Sequence, residues 1–263
     1  MRNTSTKLNK ILNNKTSGSS ELVALQNKYF LSIRNNSVQI KESIKLAKNK
    51  LSHFEIVNFY LNELNKILGK NNKAGLGNFL ETYSRKEDEK IDLIFNKIYL
   101  ALKEAKSIIT LSRSKTVINI LKLLHKKNKT FKVVVCESRP KNEGRLTAQE
   151  LVKAGINVEL ITDAMMGIFV PKVDAAIIGA DFVLKNGNIV NKVGSKGLAL
   201  FCKEYKKSFY VVTTKSKFSK KISFKVKKEN SIEVWNKTVN NLKVSNIYFE
   251  EIEKKFISKI FTD

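Results

Sequence analysis

Apolar residues recur at helical spacing through the first part of the chain. From Glu21 to Ile33 they fall at Leu22, Leu25, Tyr29 and Ile33, a spacing that predicts a helix. The stretch from Val38 to Leu68 repeats the pattern at Ile40, Ile44, Ala47, Leu51, Phe54, Val57, Leu61, Leu64 and Leu68, and Gly69 supplies a C-terminal stop. A further helical run covers Leu76 to Glu104, with Phe79, Ile91, Ile94, Phe95 and Ile98. The only prolines are Pro140 and Pro171, so nothing before Pro140 meets the strongest helix breaker. Residues 1–106 therefore read as an antiparallel helical bundle.

After Lys106 the period changes. Short apolar runs at Ser107–Leu111, Phe131–Cys136, Asn157–Thr162, Ala175–Gly179 and Ser208–Thr213 read as strands. Helical pieces lie between them, at Thr116–Lys127, Leu146–Ala154 and Gly197–Tyr205. Such alternation implies a parallel sheet covered on both faces. Phe182–Leu184 and Ile189–Val190 flank Lys185, Asn186, Gly187 and Asn188, and Asn-Gly between apolar runs signals a hairpin. The fold class is α/β: an N-terminal helical bundle, then a Rossmann-like parallel-sheet domain over residues 107–263.

Composition bounds the possibilities further. The 263 residues are 42% hydrophobic, enough for a sizeable core. No apolar run is long enough to span a bilayer, so a soluble protein is expected. The N-terminus lacks acidic residues before Glu21 and reads either as a transit peptide or as a first helix. Lys and Arg number 49 against 24 acidic residues, a net charge of +25. That excess fits a surface for nucleic acid or phosphorylated ligands, and equally a Lys-, Asn- and Ile-rich bias spread over the chain. Cys136 and Cys202 sit in apolar runs and read as buried free thiols of a reducing compartment. His53 and His125 are isolated, and no metal-ligand cluster is visible.

In an open parallel sheet, ligands bind beyond the carboxyl ends of the strands, near a switch in strand order. Ser112, Arg113, Ser114 and Lys115 follow the first strand. Glu137, Ser138, Arg139 and Pro140, then Gly144 and Arg145, follow the second. Asp163 follows the third and Asp181 the fourth. Asn191, Lys192, Gly194 and Ser195 follow the hairpin. The Ser112–Lys115 turn opens a helix and is either an anion site or an ordinary capped start. Around Lys192, Gly194 lets backbone approach a phosphate and the lysine supplies charge, although the glycine spacing is not that of a P-loop. Asp181 could orient a sugar hydroxyl, exchange a proton or cap the turn.

Several of these segments together resemble the alpha/beta/delta subunit family of eukaryotic-type translation initiation factor 2B. They are Glu137-Ser138-Arg139-Pro140 with Glu143-Gly144-Arg145, Ile161-Thr162-Asp163-Ala164, Gly179-Ala180-Asp181, and Asn186-Gly187 with Asn191-Lys192-Val193-Gly194. Phe209-Tyr210-Val211-Val212, Glu233-Val234-Trp235 and Asn246-Ile247-Tyr248-Phe249-Glu250 extend the resemblance to the C-terminus. The family includes subunits of the exchange factor for initiation factor 2, and isomerases of methylthioribose 1-phosphate and ribose 1,5-bisphosphate. The isomerases use an aspartate, here Asp181, and a cysteine at the turn after the first strand, where this chain has Ser112. Their N-terminal Arg-Gly-Ala phosphate motif is not evident, and Thr16-Ser17-Gly18-Ser19-Ser20 stands in its region.

A serine hydroxyl is a weaker acid than a thiol and needs an activating base, and no histidine lies near Ser112 in sequence. The resemblance therefore implies a factor-like binding protein that keeps the phosphate pocket. It also implies a homodimer or higher oligomer, cytoplasmic, with a phosphorylated sugar or nucleotide as ligand and initiation factor 2 as partner, while RNA is the partner that the basic charge would suit. Residues implied for the ligand are Arg113, Ser114, Arg139, Arg145, Asp163, Asn191, Lys192 and Gly194, with Asp181 and Ser112 as reacting groups if the chain is an isomerase. No cofactor and no metal are implied. The alternatives are an aldose–ketose isomerase and an RNA-binding protein.

Overall fold

A computed structural model describes residues 2–52, 54–70, 72–128 and 130–263, so His53 lies outside the described residues. The chain divides into two compact units, Met1–Asp92 and Leu93–Asp263. The change of period at Lys106 marks where helical structure gives way to strands. The division by compactness comes earlier, inside a helix.

The first unit holds α1 (Arg2–Leu12), α2 (Ser19–Ser32), α3 (Ser37–Leu51), α4 (Glu55–Gly69) and the start of α5 (Lys73–Leu102). The run expected from Val38 to Leu68 is thus two helices. Phe54 N–H donates to Leu51 O at 3.0 Å and Asn58 Nδ2 to Ser52 O at 2.8 Å. These bonds satisfy carbonyls that a helix end leaves open. Ile40, Ala47, Val57, Leu61 and Leu64 are all buried. The apolar period survives the break because both helices bury a stripe, and periodicity records faces rather than chain direction.

The second unit contains, in chain order, β1 (Ser107–Leu111), α6 (Lys115–Lys127), β2 (Lys132–Cys136), α7 (Glu143–Lys153), β3 (Asn157–Ile161), the short α8 (Met166–Phe169) and β4 (Ala175–Ile178). β5 (Phe182–Val183), β6 (Ile189–Lys192), α9 (Ser195–Glu204), β7 (Ser208–Val212), β8 (Phe249–Ile252) and β9 (Lys259–Phe261) follow. A parallel sheet has the order β3-β2-β1-β4-β7-β9, and an antiparallel one the order β5-β6-β8. From β1 the chain builds outward to β2 and β3, then crosses back to β4. The strand order therefore switches between β1 and β4, and beyond the carboxyl ends at such a switch open α/β sheets take their ligands.

One face of the parallel sheet carries Ile109, Leu111, Val134, Cys136, Ile178 and Val211, packed with Leu198, Ala199 and Cys202 of α9. The alternate positions Ile108, Val133, Val135 and Ile177 are also buried. Burial on both faces explains why these strands read as continuous apolar runs. Two glycines allow close approaches. A Cβ at Gly144 would lie 1.9 Å from Cys136 O, and one at Gly179 would lie 2.6 Å from Ser114 Oγ. The first turn of α7 thus rests on the end of β2, and the end of β4 on the start of α6.

The hairpin forms as expected, with Gly187 at φ 86° and its N–H donating to Leu184 O at 2.9 Å. Three boundaries are corrected. β6 runs on to Lys192, so Asn191 and Lys192 belong to a strand rather than a loop. α7 starts at Glu143 rather than Leu146, and α9 at Ser195 rather than Gly197. β8 and β9 were not foreseen. Both are short, and their pairing to distant strands defines them more than local propensity does.

Candidate functional site

The turns at the carboxyl ends of β1 and β2 are locked together through strained backbone. Ser112, Ser138 and Asn142 have φ of 69°, 67° and 56°, in the left-handed region that non-glycine residues seldom enter. Ser112 N–H donates to Ser138 Oγ at 2.7 Å, and Ser138 Oγ donates to Cys136 O at 3.0 Å. Thr147 Oγ1 of α7 donates to Ser112 O at 3.0 Å. Asp163 spends its carboxylate on the same turn, accepting from Ser138 N–H at 2.8 Å and Arg139 N–H at 2.7 Å. Asp163 is therefore a support for the turn, with both oxygens engaged.

Three side chains from three elements meet within this frame. Ser112 Oγ donates to Glu143 Oε1 at 2.9 Å. Lys192 Nζ, from the end of β6, lies 2.9 Å from the same oxygen. Glu143 and Lys192 are each only 5% exposed, and Glu143 Oε2 is buried without a hydrogen-bond partner. The Lys192 ammonium also sits 4.8 Å from the centroid of the Tyr248 ring, a cation–π contact. Tyr248 OH donates to Glu233 Oε2, which also accepts from Asn246 Nδ2 at 3.2 Å. Burial, then the Glu233 carboxylate, push the Tyr248 phenol well above its ordinary pKa.

The segment before β8 is fastened to this region. Lys141 Nζ pairs with Glu233 Oε1 at 2.8 Å, and Arg139 Nη2 donates to Val234 O at 3.1 Å. The Arg139 guanidinium is thus engaged by the backbone of that segment.

The remaining candidates are arranged less simply than sequence suggests. Gly194 N–H donates to Glu250 Oε1 at 2.7 Å, and Lys196 N–H donates to the same atom at 2.9 Å. A carboxylate of the chain itself therefore occupies the anion position at the start of α9. Asn191 is buried and donates to Ser195 Oγ at 2.9 Å. Arg145 pairs with Glu137 at 2.7 Å on the surface, and Arg113 with Glu150 at 3.1 Å. Ser114 caps α6, accepting from Val117 N–H at 3.4 Å. Asp181 is half-buried, its N–H bonded to Val190 O at 2.8 Å. Lys192 is the one cation of this set that is buried, and each cationic candidate already has a partner within the chain.

Sequence reasoning missed Glu143, Ser138, Tyr248, Glu233 and Glu250. All five lie inside motifs quoted for the resemblance, where neighbouring glycine, arginine and aromatic residues carry the chemical argument and Ser138 reads only as part of a polar turn. Both cysteines are buried and free, and burial raises both thiols, Cys202 to about 12. They are inert rather than substitutes for a reactive thiol at Ser112. Among the described residues no group of three or more His, Cys, Asp or Glu could hold a metal, and no helix is long and apolar enough to cross a membrane.

Comparison with known proteins supports the resemblance. A Pyrococcus horikoshii protein named as translation initiation factor eIF-2B subunit 2-like is 35% identical over 186 residues, covering 70% of this chain and 65% of that protein. The ribose 1,5-bisphosphate isomerase of Archaeoglobus fulgidus is 32% identical over 192 residues, covering 71% of this chain and 59% of the isomerase. The chain thus matches less than two thirds of the length of these relatives. The crystal structure of the P. horikoshii translation initiation factor eIF-2B superposes with a TM-score of 0.83 at 25% identity, covering 99% of this chain and 95% of that one. Residues 3–263 match the initiation factor 2 subunit family, and the chain belongs to that family.

Proposed function

We propose that this chain is an initiation factor 2B-like binding protein whose crevice beyond β1 and β4 takes a phosphorylated sugar or nucleotide. The buried Lys192–Glu143 pair carries the reading. Burying two charges is expensive, and an ion pair in the interior seldom stabilises a fold more than apolar side chains would. Leaving Glu143 Oε2 without a donor adds to that cost. Both costs are explained if a ligand hydroxyl donates to Oε2. The Lys192 ammonium has further N–H donors for a phosphate oxygen beside its bond to Glu143. Asp181 and Asn191, on strand ends around the same crevice, supply polar contacts for the rest of the ligand.

The protein works as a homodimer or larger oligomer in the cytoplasm, with initiation factor 2 as its macromolecular partner in this reading. On α9 Leu198 is core, whereas Leu200 and Phe201 are 45% and 38% exposed and available for assembly. Isomerisation is the second reading. It draws support from the A. fulgidus relative and from the acceptor found beside Ser112.

Thermal unfolding with ribose 1,5-bisphosphate, 5-methylthioribose 1-phosphate, AMP, GDP, ribose and inorganic phosphate tests the reading. A ligand bound to the native state raises the melting temperature by mass action. At least one phosphorylated sugar or nucleotide is expected to stabilise the protein, and ribose is not. No shift with any phosphorylated compound at millimolar concentration overturns the proposal.

A further inference from the structure

The chain around and after β7 concentrates positive charge. Lys206 to Lys228 contains nine lysines and no acidic residue, whereas acidic residues number 24 in the 263 of the whole chain. A lysine bias spread evenly along the sequence would not empty one stretch of carboxylates. Beyond the carboxyl end of β7 this stretch becomes a strap pinned across the antiparallel sheet, from β5 to the residues just before β8. Phe218 bridges Val183 of β5, Ser219 N–H donates to Val183 O at 2.8 Å, and Lys185 N–H donates to Lys221 O at 2.9 Å. Phe224 packs against Phe182, Leu184 and Val190, and Lys228 bridges Ile247. Lys215, Lys220, Lys225 and Lys228 are exposed and make no ion pair among the described residues. Phe218 and Ile222, 50% and 70% exposed, lie among them in sequence. Nearby carboxylates are engaged already. Glu229 pairs with Lys227 at 3.2 Å, and Glu251 accepts from Asn188 Nδ2 at 2.6 Å and from Phe224 N–H at 3.4 Å.

We infer that this strap is a docking surface for single-stranded RNA, held through its phosphates and without sequence preference. Lysines with no carboxylate of their own suit a polyanion, because each gains a phosphate without giving up a partner. A second copy of the chain fits this surface poorly, since a two-fold contact sets the strap's like charges against each other. Lysine meets phosphate as a point charge, so it positions a strand rather than reading its bases. The half-exposed Phe218 ring offers a base a face to stack on, which an acidic peptide or a lipid headgroup would leave unused. None of these residues is among those proposed for the small ligand, so RNA docking and small-ligand binding can fail separately.

Fluorescence anisotropy of a labelled, unstructured RNA of about twelve nucleotides measures binding by the full chain between about 50 and 200 mM salt. Four lysine–phosphate contacts predict a slope of log affinity against log salt of about −2.8, or roughly a fiftyfold loss across that range. Two unrelated sequences of equal length should bind within about threefold of each other. Lys220→Gln/Lys225→Gln/Lys228→Gln should make the slope shallower by about 2. Lys126→Gln/Lys127→Gln/Lys153→Gln removes the same charge from exposed positions at the ends of α6 and α7 and should leave the slope unchanged. Equal losses in both triple variants would make net charge the cause and overturn the assignment to the strap. Phe218→Leu keeps an apolar side chain but removes the ring face, and should weaken binding about fivefold or more with the slope unchanged. Unchanged affinity in Phe218→Leu, or displacement of the RNA by polyglutamate as effectively as by unlabelled RNA, overturns RNA as the occupant in favour of an acidic protein. Binding to phosphatidylserine vesicles without binding to RNA overturns it in favour of a membrane, and no RNA binding at the lowest salt overturns it outright. Should Phe218→Leu fail to fold, the two triple variants change only exposed side chains and still decide, since an unchanged slope in the first overturns the proposal.

Discussion

Opposite ends of the parallel sheet each use a carboxylate to join connections, and they use it differently. At the amino ends Asp174 Oδ2 accepts from Lys106 N–H and Ser107 N–H, each at 2.8 Å, and from Ser107 Oγ at 3.1 Å. Partial burial pushes its carboxyl pKa up, but the backbone bonds from Lys106 and Ser107 outweigh that and leave it below the ordinary value. Asp174 is exposed, and its donors are mostly main chain. At the carboxyl ends Glu143 is buried, its donors are side chains, and one of its oxygens has none. An exposed carboxylate on backbone donors ties strands together at small cost. A buried carboxylate on a lysine and a serine costs far more. The difference sets a carboxylate held mainly by backbone apart from one whose burial the proposed ligand would explain.

The largest expected effect tests the buried end. Lys192→Met leaves Glu143 as a buried charge without its cation, and stability should fall by about 3–5 kcal/mol. In Lys192→Met/Glu143→Met most of that loss should return, because neither charge is left stranded. Urea unfolding of the wild type and both variants measures the pair. If Lys192→Met costs less than about 1 kcal/mol, water reaches Glu143 readily and the contrast with Asp174 collapses.

How much of this was legible depended on the range of the interaction. The β1-to-β4 part of the sheet and the Asn186-Gly187 hairpin follow from local apolar runs and turn chemistry, and they appear where expected. β9 pairs with β7 across a long stretch of chain, and three residues carry no period of their own. The left-handed backbone at Ser112 and Ser138 was hidden for a similar reason, since serine does not advertise it as glycine does. Glu143 was hidden by proximity to a louder signal. Gly144 and Arg145 beside it suggested a phosphate loop, whereas the first turn of α7 brings the glutamate to Ser112 and leaves Arg145 on the surface. Gly194 illustrates the limit of motif reading. Its backbone does present N–H groups to an anion, and the anion is Glu250, far along the chain.

A smaller effect tests the amino end. Asp174→Asn weakens three bonds to one exposed oxygen, and solvent replaces part of them. A loss of about 1 kcal/mol is expected near neutral pH. The sign of its pH dependence follows from the lowered folded-state pKa. The stabilisation is fully present above the unfolded aspartate value, about 3.9, and disappears as pH falls through the folded value. Wild type and variant should therefore converge in acid, and ligand-induced thermal shifts should be equal in the two. A variant that loses those shifts would show that the amino end is coupled to the crevice.

The smallest effect concerns a charge at the carboxyl ends that the comparison predicts to be idle. The Arg145 side chain is 55% exposed, and its guanidinium meets Glu137 at 2.7 Å. An exposed pair of this kind gains little Coulomb energy in water and pays side-chain entropy, so Arg145→Ala should cost about 0.5 kcal/mol. Its effect on sugar-phosphate affinity should be less than about twofold, since a charge screened by solvent and matched by Glu137 adds little field in the crevice. Removing a charge-assisted bond to phosphate would instead cost about 1.5–3 kcal/mol, or more than tenfold in affinity. Titration of the wild type and Arg145→Ala with the compound that gives the largest thermal shift separates the two outcomes. A tenfold loss would mean that Arg145 leaves Glu137 for the ligand. Burial in the free protein would then fail as the criterion that singles out Lys192 and Glu143.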